Sequence, residues 1–262
     1  MVRHQKLLDA VTDGVERVDD LARELGVSPS TVRRGLTDLE QAGRVVRTHG
    51  GAVPAPVGGE LSWVQKGRQN APAKRRIAER AAEMIEDDHM VLLDAGSTTA
   101  FIAERLAGRS GPTVLTTGTG PMSALLDAEG IELILVGGRL RRRRGAMVGE
   151  YVRGVLERVS ADIAFLGADG LVPGRGINCP SPELAAVKEL QARAARRTVV
   201  VADSSKIGAD AEPHWALIPG PYTLITDDGL DAAARRAIED DPHCTPLIVP
   251  APEAPRTPGR TG

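Results

Sequence analysis

The chain is poor in aromatic residues and cysteine, and it contains no long apolar run. Aromatic residues make up 2% of its 262 residues, too few for the stacking platforms that bind single-stranded nucleic acid. The two cysteines, Cys179 and Cys244, provide neither a disulfide framework nor a metal-binding cluster. Because no stretch of about 18 apolar residues occurs, no transmembrane helix is expected. We therefore predict a cytoplasmic protein with no cofactor, no bound metal and no membrane partner.

An excess of charge of one sign is also missing. The 33 basic residues face 35 acidic ones, which leaves a formal net charge of -2. Such a balance argues against a protein covered by a polyanion, so any surface for nucleic acid has to be local. Residues 28–53 meet this condition, because four arginines minus two carboxylates, Asp38 and Glu40, leave a net charge of +2 there.

The texture of the sequence changes near residue 54. Residues 1–53 alternate short helical patterns with polar turns, and "PAPVGGE" then breaks both helix and strand. From Lys74 onward, seven apolar runs alternate with polar loops and helical stretches, which is typical of a parallel sheet covered on both faces. We predict an α/β protein with a small domain at 1–53, a linker at 54–73, a larger Rossmann-like domain at 74–250 and a disordered tail at 251–262.

The first 53 residues have the pattern of a winged helix-turn-helix. A first helix is followed by a second one that Asp19 is expected to cap and Gly26 to end. Ser28 and Pro29 mark the start of a third helix, which is expected to run to Ala42. The following "RVVR" alternates cationic and apolar positions before the "THGG" turn, as a short hairpin wing would.

The third helix has a core face and an outward face. At about 100° per residue, Val32, Leu36 and Leu39 point to the core. The opposite face carries side chains of the kinds that read base edges and phosphates in a major groove, and the wing adds cations. A pair of arginines alone more often marks a solvated surface, and it is the helix-turn-helix spacing that favours DNA. The predicted DNA-binding residues are Ser30, Thr31, Arg33, Arg34, Thr37, Gln41, Arg44, Arg47 and His49.

The run "VLLDAGSTTAFIAERL" has the pattern of a strand, a small-residue loop and a helix. Gly96 lets backbone amides approach an anion closely, and Ser97, Thr98 and Thr99 add hydroxyl donors. The helix that follows points the positive end of its dipole at the loop. The loop lacks the Gly-Lys-Ser/Thr ending of a nucleotide P-loop, and such a turn taken alone is more often a simple helix cap.

Polar loops at other strand ends favour a ligand site. In an open parallel sheet these ends lie along one edge, where ligands usually bind. Asp94 and Asp169 are candidates to orient sugar hydroxyls, and Lys188 or Lys206 to pair with a phosphate. The predicted effector-binding residues are Asp94, Gly96, Ser97, Thr98, Thr99, Thr116, Thr117, Gly137, Gly138, Asp169, Gly170, Lys188 and Lys206.

Both parts of the sequence resemble the DeoR family of bacterial transcription regulators. The elements "VSPSTVRRGLTDLEQAG" and "RTHGGA" are similar to its DNA-binding domain, and the runs 94–99, 165–170 and 203–206 to its sensor domain. The resemblance implies a sensor fold like that of ribose-5-phosphate isomerase and CoA-transferase domains, and a phosphorylated sugar as effector. The chain departs from the family pattern at Gly35, where aspartate is usual, and at Thr117, where asparagine is usual.

These features together predict a regulator and not an enzyme. We expect a homo-oligomer, a dimer or tetramer, that binds a double-stranded DNA operator and represses carbohydrate-metabolism genes until a phosphorylated sugar relieves it. The sequence leaves activation open as the alternative to repression.

An enzyme and a dinucleotide-binding repressor are the two alternative function classes, and the arginine run at 141–144 needs a separate interpretation. A sugar-phosphate isomerase would need a positioned base, such as Glu183 or Glu189, but no glycine-rich catalytic loop follows Asp169. A redox-sensing repressor would bind a dinucleotide at "GTGPMS", where Ser123 stands at the third glycine position. The arginines at 141–144 indicate a solvated surface, with guarding of a cleft or contact with DNA or a partner subunit as alternatives.

Overall fold

The computed structural model of the chain describes residues 2–41, 44–48, 50–54 and 61–251. The chain divides into two compact units. The first unit comprises Met1–Ala71 with Arg142–Arg144, and the second comprises Pro72–Arg141 with Gly145–Gly262. Among the described residues, no helix has both the length and the apolar character needed to cross a membrane.

In its described residues, the first unit contains three helices, a two-stranded antiparallel wing and a further short helix. Their bounds are α1 Val2–Thr12, α2 Val18–Leu25, α3 Pro29–Gln41, β1 Val45–Thr48, β2 Gly51–Pro54 and α4 Trp63–Arg68. The predicted order of helices and wing is confirmed. So is the core face of α3, because Val32, Leu36 and Leu39 are at most 6% exposed and pack with α1 and α2.

The second helix starts earlier than the sequence pattern indicated. Arg17 occupies the N-cap position and makes no side-chain cap, so the prediction that Asp19 caps this helix is wrong. Asp19 and Asp20 lie instead in the first turn, where their charges interact favourably with the helix dipole. The end of the helix is as predicted, at Gly26 with a φ of 64°.

The wing packs against the connection between α1 and α2. The Ala52 amide donates to the Glu16 carbonyl at 2.8 Å, and the Val18 amide donates to the Gly50 carbonyl at 3.0 Å. A Cβ atom on Gly51 would lie 1.8 Å from the Glu16 carbonyl oxygen, so this close approach requires glycine. Of the two glycines of the wing turn, Gly51 therefore has the packing role, and Gly50, with a φ of 92°, has the turn conformation.

The second unit is built on a seven-stranded parallel sheet. Its strands are β3 Met90–Leu93, β4 Thr113–Thr116, β5 Glu132–Leu135, β8 Ala161–Gly167, β11 Ala195–Val201, β13 Tyr222–Asp227 and β14 Cys244–Val249. Each coincides with one of the predicted apolar runs. The strand order across the sheet is β14-β13-β11-β8-β3-β4-β5.

Helices and small antiparallel ribbons connect these strands. The helices are α5 Ala71–Ala82, α6 Ser97–Leu106, α7 Thr119–Leu125, α8 Glu150–Leu156, α9 Pro182–Arg193 and α10 Ala232–Glu239. One ribbon pairs β6 Arg139–Arg141 with β7 Ala146–Val148, and another orders β12 His214–Ala216, β10 Gly176–Cys179 and β9 Gly170–Val172. The sequence analysis predicted neither ribbon.

The central strands are buried on both faces. Along β3, Val91 and Leu93 join the apolar cluster that includes α5 and α6, while Leu92 joins the cluster that includes α8 and α9. Along β8, Phe165 and Leu166 divide in the same way. Burial on both faces explains why these strands are continuous apolar runs without polar alternation.

The sheet has a topological switch point between β3 and β8. From β3 the chain proceeds outward to β4 and β5, whereas from β8 it proceeds in the opposite direction to β11, β13 and β14. The loops after β3 and β8 therefore diverge at the carboxyl ends of the strands, which is where open α/β sheets bind ligands. The predicted loop at Asp94 leaves one side of this point, and Ala168 the other.

The predicted linker and tail are only partly described. Residues 54–73 include α4 and the first residues of α5, while residues 55–60 lie outside the described residues. Of the predicted tail at 251–262, only Ala251 is described. The domain boundaries given above stay predictions.

Candidate nucleic-acid interface and anion site

The turn before α3 has the capping that a helix-turn-helix requires. It consists of three residues, Gly26–Ser28, and the Ser28 hydroxyl accepts the Thr31 amide at 3.2 Å. This bond satisfies one of the amide donors that a helix leaves unpaired at its start. The start of α3 at Pro29 is therefore as predicted.

The outward face of α3 exposes the side chains of Arg33 and Arg34, and the wing exposes Arg44. Three predicted contacts, Ser30, Thr31 and Thr37, have hydroxyls that already bond within this segment: two to Ser28 at 2.8 Å and one to the Arg33 carbonyl at 2.9 Å. The guanidinium groups are consequently the strongest outward donors on this surface.

Two further predictions for this surface have different outcomes. The half-buried Arg47 turns back toward α3, with its Nη1 3.5 Å from the Arg33 carbonyl oxygen. The side chain of Gln41 and the whole of His49 lie outside the described residues, so their predicted roles have no geometry.

Gly35 lies on the buried side of α3 and not on its outward face. A Cβ atom there would lie 2.7 Å from Cδ2 of Leu7 on α1. Nearby, Nε2 of His4 lies 2.9 Å from Oδ2 of Asp38, a second contact between the same two helices. The glycine that departs from the family pattern is therefore a packing residue that lets α1 approach α3 closely.

In the second unit, Asp94 and Lys188 form a buried ion pair at the switch point. Lys188 Nζ bonds Asp94 Oδ2 and donates to the Gly167 carbonyl at 2.8 Å, while the Gly167 amide donates to Asp94 Oδ2 at 3.1 Å. Burial lowers the pKa of Lys188, but Asp94 and, more weakly, Cys179 and Asp169 outweigh this effect and raise it above the usual value. Both predicted residues thus bind each other and hold the ends of β3 and β8 together.

The loop Asp94–Thr99 is hereafter called the cradle loop. One of its hydroxyls, that of Thr99, forms hydrogen bonds with backbone carbonyls of the same loop. Thr99 is fully buried and donates to the carbonyls of Asp94 and Gly96 at 2.6 and 3.0 Å. Thr98 is 6% exposed, and Ser97 is half-buried at the first position of α6. Ser97 and the amides of the first turn of α6 are therefore the donors best placed for an anion.

Lys74 is a site residue that the sequence analysis missed. This lysine of α5 is 4% exposed, and its Nζ lies 3.4 Å from Ser97 Oγ and 3.9 Å from Asp203 Oδ2. A signal was present, because Lys74 precedes the buried Ile77 and Ala78 by three and four residues and so shares their apolar face. A lysine on the buried face of a helix requires a polar partner, and this one has it at the cradle loop.

The predicted threonines at the end of β4, Thr116 and Thr117, form hydrogen bonds within the protein. Thr116 Oγ1 donates to the Leu93 carbonyl at 2.8 Å and accepts the Gly118 amide at 3.0 Å. Thr117 is also fully buried, and its hydroxyl accepts a hydrogen bond from Nε2 of Gln191 at 3.2 Å. Oε1 of that glutamine is buried and has no hydrogen-bond partner. Gln191, which the sequence analysis also missed, lies one turn after Lys188 on α9.

The remaining predicted effector residues are spread over the strand ends. Gly170 has a packing role, because a Cβ atom there would lie 2.0 Å from the Ala209 carbonyl oxygen. Gly137 and Gly138 are exposed beyond β5, two strands from β3. Asp169 and Lys206 are half-buried after β8 and β11. The structure therefore brings Asp94, Ser97, Thr98, Thr99 and Lys188 together with Lys74, and leaves the two exposed glycines apart.

The arginine run is not a uniform solvated surface. Arg139 and Arg141 both face Glu183 in the first turn of α9, and Nη1 of Arg141 lies 3.8 Å from its carboxylate. Arg144 is only 8% exposed. The interpretation of a solvated run is wrong for Arg144.

Possible metal ligands within the described residues lie away from the cradle loop. Glu86, Asp88 and His89 bring one ligand atom each within 4.8 Å of the others, just before β3 begins. They are at the opposite end of that strand from Asp94, and both carboxylates are exposed.

A helix-turn-helix with exposed arginines, followed by a doubly wound domain with buried polar side chains at its switch point, defines a transcription regulator with a sensor domain. Residues 3–55 match the family model described as the DeoR-like helix-turn-helix domain, and residues 69–228 match the DeoR C terminal sensor domain. The chain belongs to the DeoR family of transcriptional regulators, as the resemblance implied.

Individual relatives agree with this assignment. The chain is 38% identical to the HTH-type transcriptional regulator GlpR of Haloferax volcanii, over 90% of this chain and 93% of that protein. It is 27% identical to the glycerol-3-phosphate regulon repressor of Escherichia coli, over 91% and 95%. A solved structure of ribose 5-phosphate isomerase A from Methanocaldococcus jannaschii aligns with 53% of this chain and 55% of that one, at 21% identity and a TM-score of 0.40. That likeness is too weak to transfer an activity, whereas the family models and relatives identify a DNA-binding transcriptional regulator.

Proposed function

We propose that this regulator represses carbohydrate-metabolism genes and that a phosphorylated sugar bound at the cradle loop releases it from DNA. The observation that supports this most directly is the meeting of a buried cation, Lys74, with Ser97 and the start of α6 at the switch point. A helix start and a lysine are complementary to a phosphate dianion. The sugar hydroxyls would face the polar strand ends, where Asp169 and Lys206 lie half-buried.

The DNA half of the proposal assigns direct contacts to Arg33, Arg34 and Arg44. Their exposed guanidinium groups suit bidentate contacts with guanine edges or phosphates. We infer a homo-oligomer, because a symmetric pair of helix-turn-helix units reads two half-sites about one helical turn of DNA apart.

The energetic demand on the effector can be estimated. Moving a two-state equilibrium from 1:99 to 99:1 needs a differential affinity of about 5.5 kcal/mol between the two states. Charge-assisted hydrogen bonds to a phosphate contribute about 1.5–3 kcal/mol each. About two to four such bonds that form in only one state are therefore enough for a full switch.

We propose that the chain is not an enzyme, because both candidate bases have other partners. Glu183 pairs with Arg139 and Arg141, and Glu189 accepts the Leu217 amide at 2.9 Å. A carboxylate that already holds these partners is not positioned to take a proton from a substrate.

The dinucleotide alternative also has little support. A Cβ atom on Gly118 would lie 2.7 Å from the Ala95 Cα atom, so this glycine packs against the cradle loop. Gly118 stands at the first glycine position of the dinucleotide motif, and Gly120, at the position where the backbone would approach the pyrophosphate, is buried in α7.

The test is fluorescence anisotropy with a labelled duplex from just upstream of the protein's own gene. The protein is titrated onto the duplex, and then glycerol 3-phosphate, fructose 1-phosphate, fructose 6-phosphate and glucose 6-phosphate are added at fixed salt. We expect sequence-selective binding that one phosphosugar reverses, while unphosphorylated glycerol, fructose and glucose do not. Glycerol 3-phosphate comes first because of the regulon named for the Escherichia coli relative.

Ser97→Ala provides the site-specific arm of this test. It removes a hydroxyl donor to the phosphate, so the phosphosugar concentration for half release should rise roughly ten-fold or more, with operator affinity unchanged. Selective DNA binding that no phosphosugar alters would disprove the effector class. The next ligand to test would then be NADH, whose binding is monitored by its fluorescence. If the protein binds no duplex selectively, the isomerase alternative is tested by measuring isomerase activity on phosphopentoses.

A further inference from the structure

A short segment of chain, Gln69–Lys74, ends at the recognition helix α3 on one side and at the cradle loop on the other. Nε2 of Gln69 donates to the Glu40 carbonyl at 3.1 Å, in the last turn of α3. Five residues later, Lys74 Nζ lies 3.4 Å from Ser97 Oγ. We propose that the 69–74 segment couples occupancy of the cradle loop to the recognition helix. This inference rests on the proposed function, because it names how the same effector site is read.

At the DNA-binding end, Gln69 completes the recognition helix. The last four carbonyls of a helix have no partner within it, and Glu40 belongs to that set. The amide that satisfies this carbonyl comes from 29 residues further along the chain, and Gln69 itself is only 8% exposed. Because water has little access to Gln69, a displacement of its side chain leaves the Glu40 carbonyl without a hydrogen-bond donor and destabilises the end of α3.

At the effector end, Lys74 balances one negative charge before any ligand arrives. Lys74 is 4% exposed and Asp203 is 1% exposed, and their charged atoms lie 3.9 Å apart. A phosphate dianion beside Ser97 attracts the ammonium group and repels the carboxylate, with little screening by solvent. Effector binding therefore redistributes this pair and pulls on the first turn of α5.

Only four residues, 70–73, separate Gln69 from Lys74 along the chain. Residues 71–74 are the first turn of α5, which rises about 1.5 Å per residue. Further along, Ile77, Ala78 and Ala81 are fully buried against the sheet, so the body of α5 is anchored. Asn70 holds a left-handed conformation with a φ of 51°, which sets the direction of the turn into the helix.

The experiment measures coupling separately from binding. The full-length Gln69→Leu variant is titrated onto the labelled duplex with and without each of the four phosphosugars, and the phosphosugar affinity is measured by calorimetry without DNA. If the wild type shows the 5- to 150-fold change in operator affinity that is typical of allosteric coupling, we expect roughly two-fold or less in the variant. Phosphosugar affinity without DNA should stay within about two-fold, because the side chain of Gln69 bonds α3 and belongs to the first unit.

Two further variants make the result specific. Gln5→Leu removes another side-chain amide of the first unit, one that bonds Asp9 at 2.8 Å on α1, and it should keep the wild-type coupling. Asn70→Gly loosens the turn without removing either end contact, and it should reduce the coupling ratio by a smaller factor than Gln69→Leu. Asn70→Gly also replaces Gln69→Leu if circular dichroism shows the latter unfolded.

Each outcome bears on the proposal. Wild-type coupling in both Gln69→Leu and Asn70→Gly overturns it while leaving the proposed function in place. Loss of operator binding by Gln69→Leu without any phosphosugar also overturns it, since Gln69 would then be only a structural cap. If the wild type responds to no phosphosugar, the proposed effector and this coupling fail together.

Discussion

The two candidate surfaces of this regulator are built on opposite principles. On the outward face of α3, the arginines that matter are exposed, and each can be removed with little effect on the rest of the fold. At the cradle loop, the polar groups are buried and bond each other: Asp94 with Lys188, and Thr99 with the backbone. The candidate DNA-binding face is therefore a set of separable contacts, whereas the proposed effector site is a network whose members support one another.

This difference predicts where stability and function separate. Substitutions on the α3 face should change operator affinity and leave unfolding unaffected. Substitutions in the network should change the free energy of unfolding first, and ligand binding as a consequence. Three variants test the contrast, beginning with the largest expected effect.

Lys188→Met breaks the buried ion pair and leaves Asp94 as an uncompensated charge. We expect a loss of about 3–5 kcal/mol in the free energy of unfolding, measured by urea denaturation. Asp94→Asn in the same chain should recover much of this loss. Lys206→Met, which removes a half-buried lysine from the same edge of the sheet, is the matched control and should change stability by about 0.5 kcal/mol or less.

The pH dependence of the Lys188 effect has a definite sign. The pKa of Lys188 is raised in the folded protein, chiefly because Asp94 outweighs the effect of burial. The contribution of the pair is therefore complete below the ordinary lysine pKa of about 10.4 and is lost as pH rises through the raised value. A stability gap between wild type and variant that closed as pH rose from about 7 to about 9 would contradict this assignment.

Arg34→Ala should act on operator affinity alone. Loss of a bidentate base contact costs about 1–3 kcal/mol, so the Kd for the selective duplex should rise roughly 5- to 150-fold at physiological salt. The thermal midpoint and the phosphosugar affinity should not change. Arg23→Ala, which removes an exposed arginine paired with Asp20 on α2, is the control that should leave operator binding intact. An unchanged Kd for Arg34→Ala would mean that α3 does not present this face to the groove.

Gly35→Ala has the smallest expected effect, because two terms oppose each other. Alanine favours a helix over glycine by about 1 kcal/mol, but its Cβ atom meets Leu7, and overpacking costs about 1–3 kcal/mol. We expect a net loss of about 1 kcal/mol in unfolding free energy. Gly154→Ala in α8 is the control, since its Cβ atom would meet only Arg158 Nη1 at 3.6 Å, and it should be stabilising. Stabilisation by both substitutions would show that α1 yields easily at Leu7.

Much of the fold could be predicted from local patterns. The three helices and wing of the first unit, the core face of α3 and all seven strands of the parallel sheet follow from periodicity and turn residues. The start of α2 was wrong because a capping residue inside the first turn looks the same in sequence as one at its start. The small ribbons β6-β7 and β9-β10-β12 were missed because their strands are only three or four residues long.

The composition of the effector site was less predictable. Its loop was found from "DAGSTT", but Lys74 lies 20 residues before Asp94 on another element, and Gln191 lies on α9. Gly170 is predicted to contact the effector, and the structure gives it a packing role as well, because its bare backbone packs against the Ala209 carbonyl. A glycine needed for close packing and one needed for an anion look identical in a sequence.

By itself, the sequence determined the order of elements, the outward placement of Arg33 and Arg34 and the strand–loop–helix at the cradle loop. These are consequences of repeat distances within one helix or strand, which neighbouring residues set. Only the tertiary structure decided that Lys188 neutralises Asp94, that Lys74 supplies the cation at Ser97 and that Gln69 completes α3. Those pairings depend on which elements the sheet order brings together, and contacts between residues distant in the chain leave no periodic trace in it.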